Sequence, residues 1–374
     1  MKVIIAAAGT GGHINPGIAI ANKIEQEEKG SQILFIGTER GIEKDLVPRA
    51  GYKLQTLEAY GLSKEISIKN LKHTIKTMQS VKKAKKIIEE FKPDIVIGTG
   101  GYICGPVLTA ARKCNVPSVL HESNSFPGLA VKMLSKKADA VLVGLKEAKE
   151  NLTKAKKVVV TGTPTKIKKL KLSDMEKYFL KEKLDFNPDL PIVLVFGGSQ
   201  GAKKINDALI DIIKKEDISG YQIVWAVGPK NYETVQEELK QLNIDINNIK
   251  NVKVSPYIYN MEEVMNVSDL LVCRSGAITI TEMSKLGKPA IFIPLPNVSQ
   301  NHQEKNARVL EKINAARIIL NNNLTGDNLI KEIKQIITNK PLLAQMGENA
   351  FSINIENVED NIYKEIKQVL KHRN

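Results

Sequence analysis

The chain has 374 residues, of which 42% are hydrophobic and 26% charged, a composition that fits two folded domains and excludes a collagen or a disordered tail. The net charge is +14, and residues 1–160 carry most of it, with 26 Lys and Arg against 15 Asp and Glu. This half therefore either attracts a polyanion, such as nucleic acid or anionic lipid, or is merely solubilised by its lysines. Because the chain has no signal peptide, no apolar run long enough to span a bilayer, no CxxC pair and no clustered histidines, we expect a cytosolic protein without a disulfide framework or metal site.

The first predicted elements are a strand, a glycine turn and a helix. The apolar run 3–8 is followed by GTGGH at 9–13 and by a helical apolar pattern from Pro16 to Lys29. Further short Val- and Ile-rich runs alternate with helix-like stretches, at 33–36, 94–98, 118–121, 140–143 and 158–161. Continuous apolar strands between helices are typical of a parallel sheet that is buried on both faces.

The same order of elements begins again in the second half. A strand at 192–196 precedes GGSQGA and a helix around 204–214, and more strands are predicted at 222–227, 252–255, 270–273 and 290–294. We therefore predict an α/β protein of two doubly wound domains, residues 1–162 and 163–350. Residues 351–374 contain a last helix, at about 357–371, which we expect to pack back onto the first domain.

Three glycine loops directly follow predicted strands, at 9–13, 98–106 and 197–202. Such loops place backbone N–H groups at helix N-termini, where a phosphate is favoured, and ligands of open α/β sheets bind at this edge. A dinucleotide is disfavoured because Ile14 stands where GxGxxG requires its third glycine. The chain also lacks GxxxxGK[ST] and any Asp-x-Asp pair, so we expect a phosphate-containing ligand that is bound without a P-loop or a metal ion.

Five segments together resemble the MurG family of peptidoglycan N-acetylglucosaminyltransferases: AAAGTGGHINPGIAIA at 6–21, GTGGYICGP at 98–106, VLHESNSFPGLA at 119–130, FGGSQGAKKIN at 196–206 and CRSGAITITEMSKLGKPAIFIPLP at 273–296. The resemblance implies a GT-B fold of two facing Rossmann-like domains. It also implies inverting, metal-independent and cofactor-free transfer of N-acetylglucosamine from UDP-N-acetylglucosamine to lipid I, undecaprenyl-diphospho-N-acetylmuramoyl-pentapeptide, which gives lipid II.

The resemblance assigns the donor, UDP-N-acetylglucosamine, to the second domain. Ser199 is implied to lie near the diphosphate, Ile258 beside uracil and Gln303 at the sugar. The segment implied to contact the nucleotide comprises Ala277, Ile278, Thr279, Ile280, Thr281 and Glu282. The carboxylate of Glu282 suits two vicinal ribose hydroxyls, although an acidic residue near a helix N-terminus is also explained by the helix dipole.

In the first domain, the resemblance implies that Thr10, Gly11 and Gly12 meet the donor sugar and the acceptor diphosphate, and that Asn124 contacts the donor. His13 is the candidate general base, since a near-neutral histidine can take the proton of the attacking hydroxyl, but it could instead only orient the acceptor.

Expectations also follow for three further residues. Glu122 could share the role of base, and His121 is expected to be a packed structural histidine. Lys166 is expected to contact the donor where the family commonly has an arginine, and it keeps the charge of that arginine without its planar fork for a bidentate contact.

The expected partners are a membrane and the wall-building machinery. An apolar stripe of Ile68, Leu71, Ile75 and Met78 is flanked by lysines, which suits either peripheral binding to the anionic inner leaflet on the cytoplasmic side or packing against the core. Cell-wall synthesis proteins are expected as partners and nucleic acid is not, because the basic half lacks aromatic platforms. Two alternatives stay open: a lipid glycosyltransferase with another acceptor, and a UDP-N-acetylglucosamine epimerase of the same architecture.

Overall fold

The computed structural model describes residues 1–60, 68–198, 200–215 and 218–372. In the helix at residues 68–91, it describes the side chains only from residue 76 onward. The chain forms two compact units, one of Met1–Thr165 with Ile355–Asn374 and the other of Lys166–Asn354. Both are parallel α/β units, which confirms the predicted fold class.

The first unit contains a parallel sheet whose strands follow the order β3-β2-β1-β4-β5-β6-β7. Its elements before residue 165 are β1 Lys2–Ala7, α1 Gly11–Glu27, β2 Gln32–Gly37, α2 Glu43–Arg49, β3 Lys53–Thr56, α3 Ile68–Phe91, β4 Ile95–Gly100, α4 Cys104–Lys113, β5 Ser118–Glu122, α5 Leu129–Ser135, β6 Ala140–Val143, α6 Glu147–Glu150 and β7 Val158–Val160. Strands β4, β5 and β6 are buried along their whole length, because helices cover both faces of the sheet.

The second unit contains a parallel sheet of order β10-β9-β8-β11-β12-β13. Its elements are α7 Asp174–Lys183, β8 Ile192–Phe196, α8 Lys203–Lys215, β9 Gln222–Ala226, α9 Tyr232–Gln241, β10 Val252–Ser255, α10 Met261–Val267, β11 Leu270–Cys273, α11 Ala277–Leu286, β12 Ala290–Phe292, α12 His302–Lys312, β13 Ala316–Ile318, α13 Gly326–Ile337 and α14 Lys340–Phe351. Short 3₁₀ turns lie at Ser299–Asn301 and Asn321–Asn323.

The last helix, α15 Val358–Lys371, belongs to the first unit and packs against α1. Its buried side chains, Ile362, Ile366 and Val369, join the core on that face of the first sheet. Polar contacts border this core: Lys367 Nζ lies 2.6 Å from a Glu28 carboxylate oxygen. None of the helices in the described part of the chain is both long and apolar enough to cross a membrane.

Two details of the predicted elements are corrected by the structure. Helix α1 begins at Gly11 rather than at Pro16, because the glycine turn itself forms the first helical turn and the proline lies inside the helix. The sequence analysis missed β3 and β13, which lie at sheet edges and are partly exposed. Polar or charged residues interrupt the apolar pattern of both strands, which read KLQT and ARI.

The strand order of both sheets reverses direction at one point, between β1 and β4 in the first unit and between β8 and β11 in the second. In open parallel sheets, the crevice at the carboxyl ends of strands beside such a point receives ligands. All three glycine loops follow strands at these points, namely β1, β4 and β8.

Candidate functional site

The loop after β1 presents the N-terminus of α1. Gly9 has φ of +97° and Thr10 is extended, so the chain turns sharply from strand into helix. The Thr10 side chain makes no capping hydrogen bond. The first N–H groups of a helix have no partner within the helix, so the backbone of Gly11 and Gly12 is suited to an anionic oxygen.

The loop after β4 packs against the loop after β1 and holds His13. A Cβ added to Gly100 would lie 2.0 Å from His13 Nδ1, and one added to Gly101 would lie 2.4 Å from the carbonyl oxygen of Ala8. Thr99 Oγ1 donates a hydrogen bond of 2.7 Å to the carbonyl of His13. The two glycines therefore make the room that the half-buried imidazole occupies at the first turn of α1.

Glu122 ends β5 and supports the turn that follows. Its Oε1 accepts hydrogen bonds of 2.9 Å from both N–H and Nδ2 of Asn124, and its Oε2 accepts one of 3.1 Å from the N–H of Gly128. The residue is only 5% exposed. This geometry favours a positioning role for Glu122 over a proton-accepting one and fixes the half-buried amide of Asn124.

His121 is a packed histidine, as expected. It is 1% exposed, and its Nε2 lies 3.0 Å from the carbonyl oxygen of Gly162. Burial lowers the pKa of this imidazole. Among the described residues, no group forms a hydrogen bond with its Nδ1.

In the second unit, the loop after β8 is tightly packed by glycines. Gly201 has φ of +75°, and a Cβ there would lie 2.4 Å from the carbonyl oxygen of Val227. Asn206 on α8 ties the loop region to β9, because its Nδ2 donates to that same carbonyl and its Oδ1 accepts from Trp225 Nε1. Ser199, the predicted diphosphate contact, lies outside the described residues.

The segment predicted to contact the nucleotide is the N-terminal part of α11. Gly276 precedes the helix with an extended backbone and no side-chain cap. Ala277, Ile278, Thr279, Thr281 and Glu282 are half-buried, so they border the surface at this sheet edge. Burial raises the pKa of the Cys273 thiol at the end of β11, and the charge of Glu282 adds to this rise.

Ile280 departs from this prediction. It is fully buried, so its side chain packs in the core and could meet a nucleotide only through its backbone. Ile258, which follows β10, is 7% exposed, so its side chain is largely buried. Lys166 is exposed at the start of the second unit.

Gln303 lies in the first turn of α12 and is held by the loop after β12. Its Oε1 accepts a hydrogen bond of 2.9 Å from the N–H of Leu295, so its Nε2 remains to donate to a ligand. Ser275 Oγ donates to the carbonyl of Gln303 at 2.8 Å, and Asn306 Nδ2 donates to the carbonyl of Ser275 at 3.3 Å. The loops after β11 and β12 and the start of α12 therefore form one braced structure.

The sequence analysis missed Ser275, Asn306 and Arg274, which build this structure. Arg274 Nη1 donates hydrogen bonds of 2.8 Å to the carbonyl of Ile293 and to Oδ1 of Asn321. Burial lowers the pKa of Arg274 to about 10. Arg274 and Ser275 lie inside the segment 273–296 that carries the resemblance, and this was the available signal.

Comparisons with known proteins identify the family of the chain. Residues 3–143 match the glycosyltransferase family 28 N-terminal domain, and residues 192–365 match the glycosyltransferase family 28 C-terminal domain. A relative from Thermoanaerobacter sp. (strain X514) is 44% identical over 354 residues, which cover 95% of this chain and 96% of the relative. It is named UDP-N-acetylglucosamine–N-acetylmuramyl-(pentapeptide) pyrophosphoryl-undecaprenol N-acetylglucosamine transferase.

One solved structure gives the same assignment, and another shares the fold alone. The crystal structure of Acinetobacter baumannii MurG matches with a TM-score of 0.79 and 28% identity, covering 98% of this chain and 99% of that one. A UDP-GlcNAc 2-epimerase from Neisseria meningitidis bound to UDP-GlcNAc matches with a TM-score of 0.65 and 16% identity over 98% of this chain and 100% of that one, a likeness of fold alone. The chain therefore belongs to the MurG family of N-acetylglucosamine transferases, within glycosyltransferase family 28.

Proposed function

We propose that the protein transfers N-acetylglucosamine from UDP-N-acetylglucosamine to lipid I, with inversion at the anomeric carbon and without a metal ion. The placement of His13 carries this proposal: the imidazole lies at the N-terminal turn of α1, against the loop after β4. A base and an anion-binding helix end are thus combined in one unit, as an acceptor that carries both a hydroxyl and a diphosphate requires.

In the proposed reaction, each bond that forms is matched by a bond that breaks. His13 takes the proton of the C4 hydroxyl of the N-acetylmuramoyl sugar while that oxygen forms a bond to the anomeric carbon of the donor. The bond from this carbon to the diphosphate breaks, and UDP leaves with the electron pair. Its negative charge is stabilised by helix N-termini of the second unit, where α11 begins without a side-chain cap.

For donor binding, we assign Glu282 to the ribose hydroxyls, the Gln303 amide to the sugar, and Ser199 and Lys166 to the region of the diphosphate. Thr10, Gly11, Gly12 and Asn124 complete the donor and acceptor contacts from the first unit. The support for these assignments is the family membership together with the exposed or half-buried position of each described residue at its sheet edge.

We also propose that the first unit binds the anionic cytoplasmic face of the cell membrane as a peripheral protein. Met78 on α3, Tyr102 before α4 and Met133 on α5 are 66%, 60% and 51% exposed. The α3 residues Lys82, Lys83, Lys85 and Lys86 are exposed on the same helix as Met78. The side chains of Ile68, Leu71 and Ile75, the rest of the predicted stripe, lie outside the described residues. Exposed apolar side chains flanked by lysines favour an anionic lipid surface, where wall-building proteins would be its partners.

The direct test is to incubate the purified protein with UDP-N-acetylglucosamine and EDTA, with and without a soluble lipid I analogue. We expect UDP release and sugar transfer that both require the analogue and persist in EDTA. Donor turnover without the analogue, and no transfer with it, would instead support the epimerase-like alternative. Transfer to a diacylglycerol but not to the analogue would support the other lipid acceptor.

A further inference from the structure

Glu43 is a buried carboxylate that none of the preceding roles uses. It is the first residue of α2 and is fully buried. Its Oε2 accepts a hydrogen bond of 3.0 Å from the N–H of Gly9, and its Oε1 accepts bonds of 2.8 and 2.6 Å from the N–H and Oγ1 of Thr38. One side chain therefore ties the loop after β1 to the loop after β2.

The backbone around Glu43 is shaped to admit it. A Cβ added to Gly41 would lie 1.9 Å from Glu43 Oε2, and one added to Gly37 would lie 2.7 Å from its Cγ. Burial by itself raises the pKa of a carboxyl, but the hydrogen bonds from Thr38 and Gly9 outweigh it and hold the pKa of Glu43 below its ordinary value. The carboxylate is thus charged and enclosed, and it accepts hydrogen bonds through both of its oxygens.

The position of Gly9 gives this contact a consequence for the site. Gly9 has φ of +97° and directly precedes Thr10, Gly11 and Gly12. Fixing its N–H fixes where the first turn of α1 presents its own N–H groups. The negative charge of Glu43 by itself opposes the binding of an anion at this loop. Glu43 can therefore favour acceptor binding only by holding the loop in position. Charge and position can therefore be separated by mutation.

We propose that Glu43 is a positioning residue, whose buried carboxylate holds the Gly9–Gly12 loop in the conformation that receives the acceptor diphosphate. The inference rests on the proposed transfer to lipid I for the identity of the ligand. It does not rest on that transfer for the anchoring of the loop, which can be measured separately.

Two variants displace the contact in different ways. In Glu43→Gln, the amide oxygen can still accept both bonds from Thr38, but the amide nitrogen then faces the N–H of Gly9 and that bond is lost. In Gly41→Ala, the charge is kept, but the new methyl group pushes the end of the flexible Glu43 side chain away. Asp45→Asn is the matched control, because it removes an exposed carboxylate from the same helix turn.

For each variant, we would measure KM for both substrates, the melting temperature, and amide hydrogen exchange of peptides that cover residues 8–14. We expect both Glu43→Gln and Gly41→Ala to raise KM for the lipid I analogue about tenfold or more, because the loop loses a hydrogen bond to a charged group. KM for the donor should rise clearly less than KM for the analogue, because the second unit supplies most of the proposed donor contacts. Exchange should accelerate in residues 8–14 alone, and Asp45→Asn should match the wild type.

Three results would overturn the inference. Unchanged loop exchange and unchanged acceptor KM in Gly41→Ala would show that the contact does not position the loop. Equal rises in KM for both substrates, or exchange that accelerates throughout the first unit, would show that Glu43 stabilises the fold of the first unit and does not position the loop specifically. If Glu43→Gln does not fold, Gly41→Ala decides alone. If the wild type transfers no sugar to the analogue, the proposed function is wrong. Amide hydrogen exchange of residues 8–14 still tests whether Glu43 anchors the loop.

Discussion

The two roles considered for His13, general base and orienting group, predict different effects of its substitution on kcat and KM. If it takes the proton, His13→Ala should lower kcat by about one hundred- to ten-thousand-fold while KM for the acceptor changes little. If it only orients the acceptor, KM should rise and kcat should fall much less. Steady-state kinetics with the lipid I analogue decide between the two, and His372→Ala, which removes an exposed histidine at the end of the chain, is the control.

His121 makes stability depend on pH. Its folded pKa is lowered by burial, so below its ordinary value of 6.5 the unfolded chain takes up a proton that the folded chain resists. Stability should therefore fall as the pH falls through 6.5 and below. Urea unfolding at pH 7.5 and 5.5 should show a smaller pH-dependent loss for His121→Gln than for the wild type. An equal loss in both proteins would mean that other groups carry the dependence.

Helix α11 is the element on which donor affinity should depend. Its N-terminal turn is half-buried at the edge of the second sheet, and Glu282 in its second turn is half-buried as well. Glu282→Ala should weaken UDP binding about ten- to one hundred-fold, because hydrogen bonds to a charged acceptor are lost. Calorimetric titration with UDP measures this change. Lys285→Ala on the same helix should bind UDP like the wild type, and an equal loss there would point to disruption of α11.

Helix α15 completes the core of the first unit from the far end of the chain. Ile366 is fully buried against α1 and its neighbours. Ile366→Ala should lower the free energy of unfolding by about 2–5 kcal/mol, since the lost apolar contact leaves a cavity. Denaturant unfolding tests this loss. Lys364→Ala, an exposed position on the same helix, should change stability by less than about 0.5 kcal/mol.

For the whole molecule, the uneven charge should direct membrane binding to one unit. The double variant Lys82→Gln with Lys83→Gln should weaken binding to phosphatidylglycerol vesicles about tenfold or more, because each lysine near an anionic surface contributes roughly 1 kcal/mol. The same charge change in the second unit, Lys240→Gln with Lys331→Gln, should have little effect. Vesicle co-sedimentation at low and high salt measures both, and equal losses would mean that only net charge matters.

The alternating pattern of strands and helices was predictable because it is a local property. Strands such as β4 and β5 are buried on both faces, so they read as continuous apolar runs, and the glycine loops after β1, β4 and β8 marked the ligand edge. The same reasoning failed for β3 and β13, whose exposed sides break the apolar run. It also placed the start of α1 at Pro16, since glycines normally argue against a helix.

The sequence by itself determined the fold class and the family, because these depend on apolar periodicity and on contiguous motifs, and the same motifs supplied most residues of the proposed site. The tertiary structure alone decided which polar residues are enclosed. Glu43 lies in the polar stretch GTERGIEKD and Asn306 in NHQEKNA, and nothing in either stretch distinguishes a buried group from a solvated one. Burial depends on which loops meet at a sheet edge, and that meeting is set by strand order, which no local pattern contains.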